Sequence, residues 1–133
     1  MLGFVGGTGP EGRGLALRLA LAGEAVILGS RDPGRADEAA KTIVDHEPSG
    51  LVTSGSNLEV AARADTVFVM VPFVSHSTVL EGLTGLLDGK TVVDVVVPME
   101  FRKGRASLVE VSEGSAAQQA QALLPKASVV GAF

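Results

Sequence analysis

Cysteine is absent from the 133 residues, which excludes disulfides and thiolate metal sites. Tryptophan and tyrosine are absent as well, and five phenylalanines are the only large aromatic side chains. Long apolar runs are also missing. The longest stretches, Val67 to Pro72 and Val92 to Pro98, fall far short of the roughly 20 residues needed to span a bilayer. Met1 to Val5 is too short for the apolar core of a signal peptide, and Gly6 to Gly14 interrupts any such run. There is no excess of positive charge: the formal net charge is -4, which argues against a general nucleic-acid binder. What positive charge matters is local, around Arg31 and Arg35. No His, Asp and Glu cluster has metal-ligand spacing, and no pair of nucleophile and base is evident. The expectation is a soluble cytoplasmic protein with no nucleic-acid or membrane partner, no metal and no catalytic side chain of its own.

Hydrophobic residues make up 46% of the chain, enough for one sizeable core, and 17 glycines accompany them. Short apolar runs alternate with helix-like segments. Leu2 to Val5, Ala25 to Leu28, Leu51 to Thr53, Thr66 to Val71, Thr91 to Val97 and a run starting at Ser128 read as strands. Those in the middle show no alternation, as strands buried on both faces do not. Helices are predicted from Pro10 to Ala22, from Pro33 to about His46 behind an Asp32 cap, and from a Ser56-Asn57-Leu58-Glu59 capping box to Arg63. Two more follow: Ser75 to Leu87, broken by Gly82 and Gly85, and one opened by Ser115-Ala116-Ala117-Gln118 that stops before Pro125. Glu47 to Gly50 reads as a turn. Strand and helix alternate throughout, so the fold class is α/β, a doubly wound parallel sheet with right-handed crossovers. Residues 1–133 read as one Rossmann-type dinucleotide-binding domain. Such oxidoreductases usually continue into a substrate domain, so a truncated chain or a partner domain on another polypeptide is expected.

Gly7-Thr8-Gly9-Pro10-Glu11-Gly12 is a G-x-G-x-x-G run. It directly follows a predicted strand and opens a predicted helix, which is the context that gives the motif meaning. Gly7 turns the strand sharply, Gly9 lets backbone approach a pyrophosphate, and Gly12 lets helix pack on strand. The helix N-terminus offers free N–H groups and positive dipole to the anion, and Thr8 can add a hydroxyl donor. Thr8-Gly9 with Gly12 and Gly14 also fits the T-G-x-x-G-x-G pattern of short-chain dehydrogenases. Those enzymes need a Tyr and Lys pair, and with no Tyr only a non-catalytic relative of that class stays open.

In NAD-binding units an acid near the end of the second strand holds the ribose hydroxyls. Here that strand ends Leu28-Gly29-Ser30-Arg31-Asp32. Ser30 and Arg31 stand where the acid would be. A guanidinium pairs with a 2′-phosphate through charge-assisted hydrogen bonds, Ser30 can donate to the same group, and Arg35 lies one helical turn further on. Asp32 reads better as the helix cap. NADP(H) is therefore favoured over NAD. At the other end, ligands of doubly wound sheets lie outside the carboxyl ends of the strands. Met70-Val71-Pro72-Phe73 and Val96-Val97-Pro98-Met99 should border the nicotinamide. His76, just beyond Pro72, has no identifiable orienting carboxylate and reads as a surface or helix-capping residue. His46 reads as solvent-facing.

The run from Gly6 to Arg18 with Gly29-Ser30-Arg31-Asp32 resembles the NADPH-dependent reductases of coenzyme F-420 (F420), an 8-hydroxy-5-deazaflavin. The Val97-Pro98 loop and Ser115-Ala116-Ala117 are similar too. The resemblance covers essentially the whole chain. It implies reversible hydride transfer between the nicotinamide and the deazaflavin as co-substrate, with the protein mainly aligning the two. It implies that Thr8, Gly9, Ser30, Arg31 and Arg35 hold NADP phosphates, that Pro72 flanks the nicotinamide, and that Val97, Pro98 and Met99 face the deazaflavin. It also implies a homodimer completed by a C-terminal helical segment that this chain lacks. Other acceptors, ferric or imine, and a non-catalytic NADP sensor are the competing readings. Arg31→Ala should weaken NADP by roughly 2 kcal/mol or more and leave NAD nearly unchanged. Calorimetric titration with both dinucleotides checks this, and equal losses would refute it.

Overall fold

The computed structural model describes residues 1–46 and 49–133, so the Glu47 and Pro48 part of the expected turn lies outside the described residues. Six parallel strands form one sheet in the order β3-β2-β1-β4-β5-β8: β1 (Leu2–Val5), β2 (Val26–Ser30), β3 (Val52–Ser56), β4 (Thr66–Val69), β5 (Thr91–Asp94) and β8 (Ser128–Gly131). The helices are α1 (Pro10–Leu21), α2 (Pro33–Val44), α3 (Asn57–Arg63), α4 (Phe73–Glu81) and α5 (Ala116–Leu123). The strand order reverses between β1 and β4, which makes that point the topological switch. No helix among the described residues is long and apolar enough to cross a membrane.

Alternate side chains of each strand enter opposite cores, as the pleat requires. Val5, Ile27, Val67, Val69 and Val92 pack under Val60, Leu80 and Ala120 of α3, α4 and α5. Phe4, Val26, Leu28 and Phe68 pack under Ala16, Ala20, Ala39 and Ile43 of α1 and α2. Phe4 and Phe68 are register partners and their rings stack, with centroids 4.9 Å apart.

Local chemistry explains the helix starts. Asp32 accepts from Gly34 N at 2.9 Å and caps α2. Ser56 and Glu59 form the full reciprocal capping box of α3. At α5 only half of the expected box forms. Ser115 Oγ accepts from Gln118 N at 3.2 Å, but Gln118 Oε1 accepts the Ser115 hydroxyl instead of reaching the backbone. The C-terminus of α3 is closed from outside: Lys90 Nζ donates to the carbonyls of Ala61, Ala62 and Ala64 at 2.6, 3.1 and 2.8 Å.

Several predicted boundaries move, each for a reason of pairing. β4 stops at Val69 rather than Val71, and β5 at Asp94 rather than Val97. β1, the neighbour of β4, ends at Val5, because Gly6 turns away with φ +73, and the last bonds between β1, β4 and β5 are Met70 N to Val5 O and Val95 N to Val69 O. β2 and β3 instead run on through Gly29–Ser30 and Gly55–Ser56, which pair with each other. α4 occupies Phe73–Glu81 rather than Ser75 to Leu87, giving way to turns as Gly85 adopts φ +87. An antiparallel hairpin, β6 (Met99–Arg102) with β7 (Arg105–Leu108), was not anticipated. Its signals are a two-residue turn with positive φ at both Lys103 and Gly104, and strict alternation of Met99, Phe101, Ala106 and Leu108 with polar residues.

Within α1 two glycines differ in kind. A Cβ on Gly12 would collide with the Gly7 backbone, whereas one on Gly14 meets nothing within 4 Å. Gly12→Ala should therefore cost about 1–3 kcal/mol by overpacking. Gly14→Ala should gain about 0.5–1 kcal/mol from helix propensity. Urea midpoints of the two variants check the opposite signs.

Candidate functional site

A cleft of about 1060 Å³ runs along the carboxyl ends of β1, β2, β4 and β5. One end is formed by the turn between β1 and α1. There the Gly12 contact with Gly7 holds the first turn of α1 against the strand, with Gly6, Thr8, Gly9 and Glu11 on the wall. Gly9 is the N-cap, with ordinary φ of -74, and a Cβ on it would meet nothing within 4 Å. Neither backbone conformation nor protein packing requires glycine there. The missing side chain leaves open space in front of the helix N-terminus, room of the kind that a diphosphate fills in dinucleotide-binding turns.

The second end is built on Gly29, Ser30 and the start of α2. Ser30 is buried, and its Oγ accepts from Asp32 N at 3.1 Å. Arg31 and Arg35 are exposed and both line the cleft. Among the described residues neither guanidinium makes an ion pair or hydrogen bond, while Asp32 is engaged as the α2 cap. Two uncommitted cations at one rim form a site for a dianionic group.

The third part carries the expected nicotinamide residues. Val71 and Pro72 from the β4–α4 connection, and Val97 and Met99 beyond β5, line the same cleft. Met70, Phe73, Ser75, Val95, Val96, Phe101 and Phe133 join them. Of the expected site residues, Gly7, Pro10 and Gly12 shape the turn without lining the cleft, and Pro98 lines a neighbouring cavity of about 430 Å³. Two contributors escaped the sequence. Asn57 lines the cleft, and its Oδ1 accepts from Gly6 N at 3.1 Å, bracing the phosphate turn from 51 residues away. Gly29 makes that reach possible, because a Cβ there would sit 2.8 Å from Asn57 Oδ1. Nothing in the local pattern signals this crossing; only the β1-β2-β3 register creates it.

His76 needs correction. It is not a surface or capping residue: it is fully buried on α4, and a carboxylate does orient it. Its Nε2 lies 3.2 Å from Asp94 Oδ1 and equally 3.2 Å from Oδ2, and its Nδ1 lies 3.1 Å from Gln119 Oε1. The carboxylate sits at the end of β5, 18 residues on, and faces His76 only because α4 crosses back over the sheet. Burial pushes the imidazole pKa down, but the hydrogen bonds to Asp94 and Gln119 and the charge of Asp94 outweigh it and raise the net value above 6.5. His46 is exposed, with Nδ1 3.0 Å from Thr42 O. Among the described residues no three His, Asp or Glu side chains could share a metal.

A raised folded-state pKa stabilises the protein fully below the unfolded value, and that contribution fades as pH climbs through the folded value. Glu59, Asp65 and Glu113 have lowered values, so their contributions are lost only in acid. Stability should therefore decline as pH rises above 6.5, and His76→Gln should remove that alkaline slope. Urea midpoints measured across neutral pH check it; an unchanged slope in the variant would contradict the charged pair.

Residues 1–98 match the model of the family described as NADP oxidoreductase, coenzyme F420-dependent. The F420-dependent NADP reductase of Methanothermobacter marburgensis is 37% identical over 127 residues, covering 92% of this chain and 57% of that protein. The chain thus spans less than two thirds of that relative's length. A crystal structure from Arthrobacter sp. FB24, assigned as an F420-dependent NADP reductase, is similar with a TM-score of 0.80 at 30% identity, over 98% of this chain and 60% of that one. An imine reductase from Streptomyces aurantiacus, at 19% identity and TM-score 0.66, covers 98% of this chain and 39% of its own, and shares the fold alone. With the glycine turn, the arginine rim and these matches together, the chain belongs to the family of coenzyme F420-dependent NADP oxidoreductases.

Proposed function

We propose that this chain binds NADP(H) along the cleft and serves hydride transfer between that dinucleotide and the deazaflavin coenzyme F420. The observation that carries the reading is the pair of uncommitted guanidinium groups of Arg31 and Arg35, at one end of a cleft whose centre is a glycine turn with open space before a helix N-terminus. Thr8 and Gly9 would hold the diphosphate on backbone amides and a hydroxyl. Ser30, Arg31 and Arg35 would hold the 2′-phosphate, while Asp32, on the same rim, has its Oδ1 engaged as the α2 cap.

When bound, the two coenzymes supply the chemistry, since one donates and the other accepts hydride. The protein's part is alignment and exclusion of water. Val71 and Pro72 on one wall, and Val97 and Met99 on the other, give apolar surfaces for flat rings. Pro98, in the adjoining cavity, extends the second wall. Gly7, Pro10, Glu11 and Gly12 shape the turn and the first turn of α1. The resemblance to the family supports a protein that acts in the cytoplasm as a homodimer.

The test mixes the full-length protein with NADPH and oxidised F420 and follows the acceptor's visible absorbance. Loss of absorbance with NADPH and not with NADH supports the reading. NADPH binding without turnover in the full-length protein points instead to a sensor. Gly9→Val should abolish NADPH binding yet leave the melting temperature within a few degrees, because its side chain enters ligand space and not the core. Calorimetry beside a thermal melt checks both halves.

A further inference from the structure

Three polar side chains are buried among the described residues: Ser30, His76 and Asp94. Ser30 belongs to the cleft. The other two form an ionisable pair with no exposed side-chain surface, an arrangement that apolar residues of similar volume often match or exceed in stability. A structural core at this point has no need of it.

The geometry shows what the pair reaches. On one side, Gln119 of α5 faces His76 Nδ1 with its Oε1, and the Ser77 hydroxyl donates to the same oxygen at 3.1 Å. On the other, Asp94 Oδ1 accepts from Val96 N at 3.3 Å. Val96 and Val97 form one wall of the cleft, beyond the point where β5 ends and ladder bonds stop. Among the described residues the bond to Asp94 is the only one made by the Val96 N–H. The imidazole also stacks on Phe73, with ring centroids 6.0 Å apart, and Phe73 belongs to the facing wall. A hydrogen-bonded chain thus runs from α5 through α4 to the Val96 wall, and a ring contact ties the same imidazole to the facing wall.

We propose that His76 and Asp94 are positioning residues that set the spacing and orientation of the two walls facing the nicotinamide. The pair lies outside the main cleft, with Asp94 also on the wall of the adjoining cavity that Pro98 lines, and it acts on the main cleft through Val96 and Phe73. This rests on the dinucleotide reading above, and the test separates the two.

The probes are NADPH and 2′-phosphoadenosine-5′-diphosphoribose, which has every phosphate of NADPH and no nicotinamide. Asp94→Ala leaves Val96 N without an acceptor. It should weaken NADPH about tenfold and the fragment less than about twofold, the size expected from one lost hydrogen bond. Amide exchange at Val96 should quicken in the same variant with no ligand present. Asp94→Asn keeps an oxygen for Val96 N and should recover most of the NADPH affinity. If Asp94→Ala does not melt cooperatively, His76→Gln carries the same comparison. Equal weakening of both probes, or no recovery in Asp94→Asn, overturns the positioning role. A wild-type chain that binds neither probe overturns the dinucleotide reading itself.

Discussion

Backbone meets backbone where α1 crosses the end of β1, and the rest of the site depends on that contact. No side chain fits between Gly12 and Gly7. The helix therefore starts directly above the strand end, and its first amides face the switch point between β1 and β4. A bulkier residue at position 12 would push α1 away and rotate those amides out of the cleft. Glycine at 9 has the opposite logic: nothing in the protein fills the space that a side chain there would take.

The Ser30 end of the cleft and the glycine turn are coupled through the sheet. β2 and β3 pair as far as Ser30 and Ser56, so the residue after Ser56 arrives beside β1. That residue, Asn57, begins α3, passes the bare Gly29 and holds Gly6 N. Three strands, two glycines and one capping box thereby stiffen a single turn. The same helix ends on Lys90, so both ends of α3 are hydrogen-bonded by polar side chains: its own capping box at the start, and at the end a lysine from the turn before β5.

The apolar end of the cleft uses different physics. There the sheet strands have run out of partners, and the walls are loop segments carrying valine and proline, flanked by Phe73 at the start of α4 and Phe101 of β6. Loops hold a shape only when something outside the sheet ladder fixes them. The buried imidazole and carboxylate are suited to this because a charged pair satisfies several directional bonds at once, which an aliphatic contact cannot do.

Period, caps and punctuation were legible in the sequence because they encode bonds between residues a few positions apart. The unalternated valine runs, Asp32 before Pro33, Ser56 with Glu59, and the glycine turn all declare themselves locally, and Arg31 follows from its place after a strand. Where each strand ends, that His76 is interior, that Asp94 and Asn57 matter, and that Pro98 sits outside the main cleft were decided by tertiary structure. Each depends on a partner 18 or more residues away, or on a neighbour that stops pairing. A side chain's burial and charge state belong to its surroundings, and those come into being only when the sheet has assembled.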